Sequence, residues 1–91
     1  MRRLFIAGNW KLNKNVNEAE RFASALKSAL LDINTVDIAV APTILALPTV
    51  CKKLQHTNIE VSAQNIHSHT SGAFTGEVAA EMIRAAGATY T

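Results

Sequence analysis

The residues best placed to do chemistry in this 91-residue chain are Asn9-Trp10-Lys11. They directly follow Leu4-Phe5-Ile6-Ala7-Gly8, a short and wholly apolar run that reads as a buried parallel strand, and Asn9 opens the turn that leaves it. In parallel α/β folds, chemistry gathers at the carboxyl ends of the strands, so a lysine there is a functional candidate. An ammonium held among packed backbone is less screened than in bulk water. Such a charge attracts a phosphorylated ligand and stabilises an oxyanion as it develops. The Asn9 amide can accept from that ammonium and donate toward a substrate oxygen. Taken alone, the same residues also describe a solvated loop lysine beside a turn-forming asparagine.

Gln64 and Asn65 close a later apolar run, Ile59-Glu60-Val61-Ser62-Ala63. Their amides either brace the first loop from behind or cap the strand end, and the residue types alone favour neither. His67 and His69 form an H-x-H pair and His56 stands alone. Two histidines without a third ligand make a poor zinc site, so no metal is expected and the three read as solvated loop residues. Cys51, the only cysteine, excludes an intrachain disulfide and lies on an apolar face as a small core residue. One unpaired thiol suits a reducing cytoplasm.

These groups need a frame, and three βα units can be read in order. The first helix opens at Asn17-Glu18-Ala19-Glu20, a cap residue with Glu three positions on. Ala19, Phe22, Ala23, Leu26, Ala29 and Leu30 give it one apolar face, with Arg21, Ser24, Lys27 and Ser28 opposite. Asp37 to Ala41 is the second strand, closed by Pro42, which cannot donate to a ladder. A shorter helix follows with Pro48 in its first turn and Leu47, Val50, Cys51 and Leu54 facing inward. Beyond the third strand, a loop from Ile66 to Gly76 is too long for an ordinary connection and reads as functional or partner-binding. A last helix is expected over Glu77 to Ala86, with Val78, Met82 and Ile83 inward and Gly87 as its stop. Ala88 to Thr91 resembles a fourth strand just starting. Repeated βα order predicts a parallel sheet with right-handed crossovers.

Charge and hydropathy narrow the functions. Nine Lys and Arg against seven Asp and Glu give +2, and the basic residues are scattered apart from Arg2-Arg3 and Lys52-Lys53, so a nucleic-acid surface is not expected. The apolar run after Arg2-Arg3 ends at Gly8, too soon for a signal peptide, and no stretch approaches a membrane span. The expected setting is cytoplasmic.

Three segments in register carry a family resemblance: Ala7-Gly8-Asn9-Trp10-Lys11-Leu12-Asn13, Ala63-Gln64-Asn65 and Ser71-Gly72-Ala73-Phe74-Thr75-Gly76-Glu77. Together they make the chain resemble the triosephosphate isomerases. Leu12 stands where that family commonly has Met and Thr43 where a second proline is common, neither touching an expected catalytic group. The resemblance implies the first three βα units of a (β/α)8 TIM barrel, residues 1–91 forming one incomplete domain whose barrel is not closed. It implies Asn9 and Lys11 as substrate-binding residues. It also implies a loop that docks into a second subunit of a homodimer through Phe74, Thr75, Gly76 and Glu77.

The implied reaction interconverts dihydroxyacetone phosphate and D-glyceraldehyde 3-phosphate through an enediolate, a step of glycolysis and gluconeogenesis that needs no cofactor. The glutamate base, the neutral histidine electrophile and the water-excluding lid of that chemistry match nothing in these residues. The chain is therefore expected to be an N-terminal fragment, inactive alone, with open strand edges that leave it marginal or aggregation-prone. Two alternatives stand beside this reading. The chain could be a non-catalytic partial barrel that assembles with itself or with a complementary C-terminal portion, or an unrelated phosphate-binding βα domain.

Overall fold

The computed structural model describes residues 2–91. Six elements follow in order: β1 (Phe5–Asn9), α1 (Val16–Ala29), β2 (Asp37–Ala41), α2 (Leu47–Lys53), β3 (Ile59–Val61) and α3 (Ala80–Ala86). The strands form one parallel sheet in the order β1-β2-β3. This is the expected opening of a (β/α)8 barrel, with the sheet left open. Asn9 pairs with Ala41, and Val40 with Val61, so the carboxyl ends of the three strands lie level. After α3 the chain returns beside β3, where Ser62 bridges Tyr90 in parallel.

The side-chain period of two divides the sheet's faces. Ile38, Val40, Ile59 and Val61 point at the helices and join Ala19, Ala23, Leu47, Val50, Leu54 and Ile83 in one core. Leu47 and Val50 are fully buried, each worth roughly 1.5–3 kcal/mol of burial. On the opposite face the Phe5 and Tyr90 rings meet edge to face at 5.5 Å. β1, expected to be buried, is instead the uncovered edge of the sheet: all five of its residues are exposed, Phe5 at 52% and Ile6 at 56%, because no element packs over its free side.

Local details differ from the sequence expectations, and β3 ends at Val61 rather than Ala63, because beyond Val61 the backbone makes only a single bridge, Ser62 to Tyr90. The cap of α1 is Asn15, not Asn17: its Oδ1 accepts from the Glu18 N–H at 2.9 Å, and Glu18 Oε1 accepts from the Asn15 N–H at 3.0 Å. Both pairs have the capping-box spacing, and the earlier one, Asn15 with Glu18, closes the box and starts the helix at Val16. Asn9 belongs to the strand, because its pairing with Ala41 extends the ladder one residue. α3 starts at Ala80 rather than Glu77, since Val78 O accepts from the His67 N–H at 2.8 Å and Ala79 bridges His67. That shift leaves Ala79 and Ile83 as the buried positions and turns Met82 outward, 54% exposed. Ala29, the last residue of α1, is exposed rather than on the buried face.

α3 ends at Gly87, whose φ of 109° is a left-handed cap that L side chains resist. A Cβ there would also stand 3.1 Å from Cys51 Cβ. Cys51 is buried, and burial pushes its thiol above the usual range. A raised thiol contributes stability that is complete below the unfolded-state value and is lost as pH rises through the folded one. Alkylation of Cys51 by iodoacetamide at pH 8 is thus expected to be at least about tenfold slower in the folded chain than in urea. Equal rates would contradict this burial.

Candidate functional site

The level strand ends carry a compact polar network. Asn9, the last residue of β1, accepts the Lys11 N–H on its Oδ1 at 2.9 Å, closing an Asx turn. This differs from the expected bond to the lysine ammonium: the carbonyl of Asn9 holds the backbone of Lys11, which leaves the Nδ2 protons for another oxygen. The intervening Trp10 donates its N–H to Ala41 O at 3.0 Å, continuing the ladder one step beyond the strand. Its indole is buried and meets the Phe22 ring of α1 edge to face at 5.4 Å. Trp10 therefore anchors the loop, as an amphipathic aromatic commonly does.

Lys11 takes φ +56°, a left-handed conformation uncommon outside glycine and asparagine. Nothing in its residue type signals this. Lys14 repeats the pattern at φ +73° and lays its Nζ 4.3 Å from the Phe22 ring centroid. That cation–π contact holds the far end of the loop against α1, a second feature that the residue types do not announce. Asn13 Nδ2 donates to Trp10 O at 2.8 Å between them.

Gln64 and Asn65 part company. Gln64 Nε2 donates to Lys11 O and to Ala41 O, both at 2.9 Å, so its amide joins the first loop to the end of β2. Asn65 instead lines an open cleft of about 310 Å³ together with Lys11, Leu12, Thr43, Gly76 and Glu77. Lys11 is exposed in that cleft, and Leu12 beside it is 94% exposed. An exposed ammonium bordered by amide groups at the strand ends can bind a phosphate or a carbonyl oxygen that is becoming an oxyanion.

The segment from Ile66 to Gly76 is a closed excursion. His67 and Val78 tie its base, and the Glu77 N–H donates to Phe74 O at 3.1 Å across the Thr75-Gly76 turn. Phe74 does not project freely. Its ring lies 4.1 Å from the His67 ring centroid and 4.6 Å from that of His69, and His67 Nε2 sits 3.1 Å from His69 Nδ1. The histidines are thus part of a three-ring stack and not merely solvated. Gly72, at φ +137°, makes the stack possible, because a Cβ there would fall 2.9 Å from the Phe74 ring. Thr75, Gly76 and Glu77 remain exposed at the turn. His56 is exposed in the loop before β3, remote from Lys11. Among the described residues no three metal-ligating side chains gather, and no helix is long and apolar enough to cross a membrane.

Comparison with known proteins identifies the family. The family model for triosephosphate isomerase matches residues 4–91. The chain is 48% identical over 90 residues to the triosephosphate isomerase of Clostridium beijerinckii, 47% to that of Syntrophotalea carbinolica and 43% to that of Endomicrobium trichonymphae. In each case the match covers 99% of this chain and 36% of the relative. The chain thus spans about a third of the length of the relatives it matches.

Proposed function

The chain belongs to the triosephosphate isomerase family, and on that premise we propose that it supplies the substrate-anchoring corner of an enzyme interconverting dihydroxyacetone phosphate and D-glyceraldehyde 3-phosphate. The observation that carries this reading is Lys11, fixed by Asn9 in an Asx turn at the carboxyl end of β1. In the reaction a base removes a proton from the carbon beside the carbonyl, an enediolate forms, and the proton returns to the neighbouring carbon. Lys11 meets the negative charge: first the dianionic phosphate, then the enediolate oxygen. Asn9 Nδ2 donates to the same region and holds the substrate's orientation. The proton-moving carboxylate and the electrophilic imidazole are assigned to sequence outside these residues, which match 36% of the relative. No cofactor enters the chemistry, and the setting is cytoplasmic.

Phe74, Thr75, Gly76 and Glu77 form the loop that docks into a second subunit of a homodimer. The closed base and the ring stack support this role, because a loop already ordered loses less entropy on docking. A second reading is favoured by a separate observation, the uncovered β1 edge with Phe5 and Ile6 exposed: the chain is a partial barrel that assembles with itself or with a complementary portion.

A hybrid protein tests the first reading. In it, this chain replaces the segment that it matches in the Clostridium beijerinckii isomerase. Turnover of glyceraldehyde 3-phosphate well above a blank is expected. A folded, dimeric hybrid without turnover would overturn the reading.

A further inference from the structure

We propose that Gln64 is the positioning residue of Lys11, its side-chain amide holding the lysine's backbone in the left-handed conformation that aims the ammonium at the strand ends. The proposal rests on the reading of Lys11 as the substrate-binding cation. It goes further by naming what keeps that cation in place.

Lys11 sits at φ +56°, where an L residue stays only if its surroundings over-determine it. Both of its backbone polar groups are held. The N–H goes to Asn9 Oδ1 at 2.9 Å, a local bond that any Asx turn supplies. The carbonyl accepts from Gln64 Nε2 at 2.9 Å, a bond that crosses 53 positions of sequence. The second proton of the same amide goes to Ala41 O, also at 2.9 Å, and Ala41 O takes the Trp10 N–H as well. One amide therefore references the loop to the end of β2.

Gln64 is itself fixed from behind. The Ser62 N–H donates to Val40 O and the Ala63 N–H to Tyr90 O, so the backbone leading to Gln64 is laced to β2 on one side and to the Tyr90 segment on the other. The orientation of the amide is settled by its partners. Both are carbonyl oxygens, which cannot donate, so the NH2 group must face them. This makes the chemistry specific: Glu has the same length and shape but would present a carboxylate to two carbonyl oxygens. Asn65, next in sequence, lines the cleft with Lys11 but makes no comparable bridge among the described residues.

The test uses Gln64→Glu and Gln64→Ala in the hybrid isomerase, with lysine labelled by nitrogen-15 and carbon-13. The HN–Hα coupling and Cα shift of Lys11 report its φ, and circular dichroism reports whether the fold is retained. Both variants are expected to keep the fold and to move Lys11 out of the left-handed region. In the hybrid they should lower kcat/KM by roughly 10²-fold, the cost of misplacing a catalytic group by about an ångström, with the same split between kcat and KM as Lys11→Ala. Lys11 remaining left-handed in both folded variants would overturn the proposal. So would a displaced Lys11 backbone with kcat/KM unchanged. If the unsubstituted hybrid itself has no turnover, the isomerase reading fails, while the Lys11 coupling still decides whether Gln64 is the clamp.

Discussion

Lys11→Ala in the hybrid isomerase is expected to lower kcat/KM for glyceraldehyde 3-phosphate by roughly 10²–10³-fold, the scale of removing one preorganised oxyanion partner, or about 2.7–4 kcal/mol of transition-state stabilisation. The size follows from where the charge sits. Lys11 lies at the strand ends, and its loop is pinned by Asn9, Gln64 and the buried Trp10, so little reorganisation is needed when charge develops. Lys11→Met separates charge from bulk, because it keeps most of the side-chain volume and should lose nearly as much activity. Loss concentrated in kcat would assign the ammonium to the enediolate, and loss concentrated in KM would assign it to the phosphate. An exposed lysine without a role would change stability and activity by no more than about 0.5 kcal/mol. A change of less than about threefold in steady-state assays would therefore return Lys11 to the rank of a solvated loop residue.

The second large effect is an absence of catalysis. The 91-residue chain by itself is expected to show no isomerase turnover above a blank, because it supplies charge but no positioned base. General acid–base catalysis contributes about 10²–10⁴-fold, and the closed, dry site contributes more. The three histidines do not fill the gap: His67 and His69 are engaged with Phe74, and His56 lies in the loop before β3. The same chain exposes Phe5 and Ile6 along an unpaired strand edge, so size-exclusion chromatography should give self-associated material. Adding the complementary two thirds of the relative as a separate polypeptide should restore turnover and shift the elution to a single species. Turnover by the purified chain alone would contradict the assignment of the base to other sequence.

Much of this architecture is legible in the sequence because it rests on periodicity and punctuation. The apolar runs at β2 and β3 are buried as their composition demands, whereas β1, equally apolar, lies exposed at the sheet edge, and Pro42 and Gly87 mark ends that their backbone chemistry dictates. Sequence and structure diverge where two local solutions are nearly equal. Asn15 with Glu18 and Asn17 with Glu20 both have capping spacing, and only the path of the chain into α1 separates them. Helical spacing counted from Glu77 turns Met82 inward. A tertiary bridge from His67 to Ala79 delays the helix and rotates that face outward.

The site divides in the same way. The nature of Asn9 and Lys11 and their place after a strand can be read directly. The left-handed φ of Lys11, the crossing bond from Gln64 and the ring stack under Phe74 depend on contacts between residues far apart in sequence or on a turn the residue types do not demand. Gln64 illustrates the limit well. Its amide admits two roles, a brace or a cap, and only the three-dimensional register of β2 and the first loop distinguishes them.

Asn9 and Lys11 as the substrate-anchoring corner are tested most directly by a crystal structure of the hybrid isomerase with phosphoglycolate. The phosphate and planar carboxylate of that analogue stand in for the phosphate and enediolate of the reacting triose. Lys11 Nζ and Asn9 Nδ2 are predicted to lie within hydrogen-bond distance, about 2.7–3.2 Å, of its oxygens. An analogue bound with Lys11 turned to solvent and Asn9 out of reach would contradict the assignment.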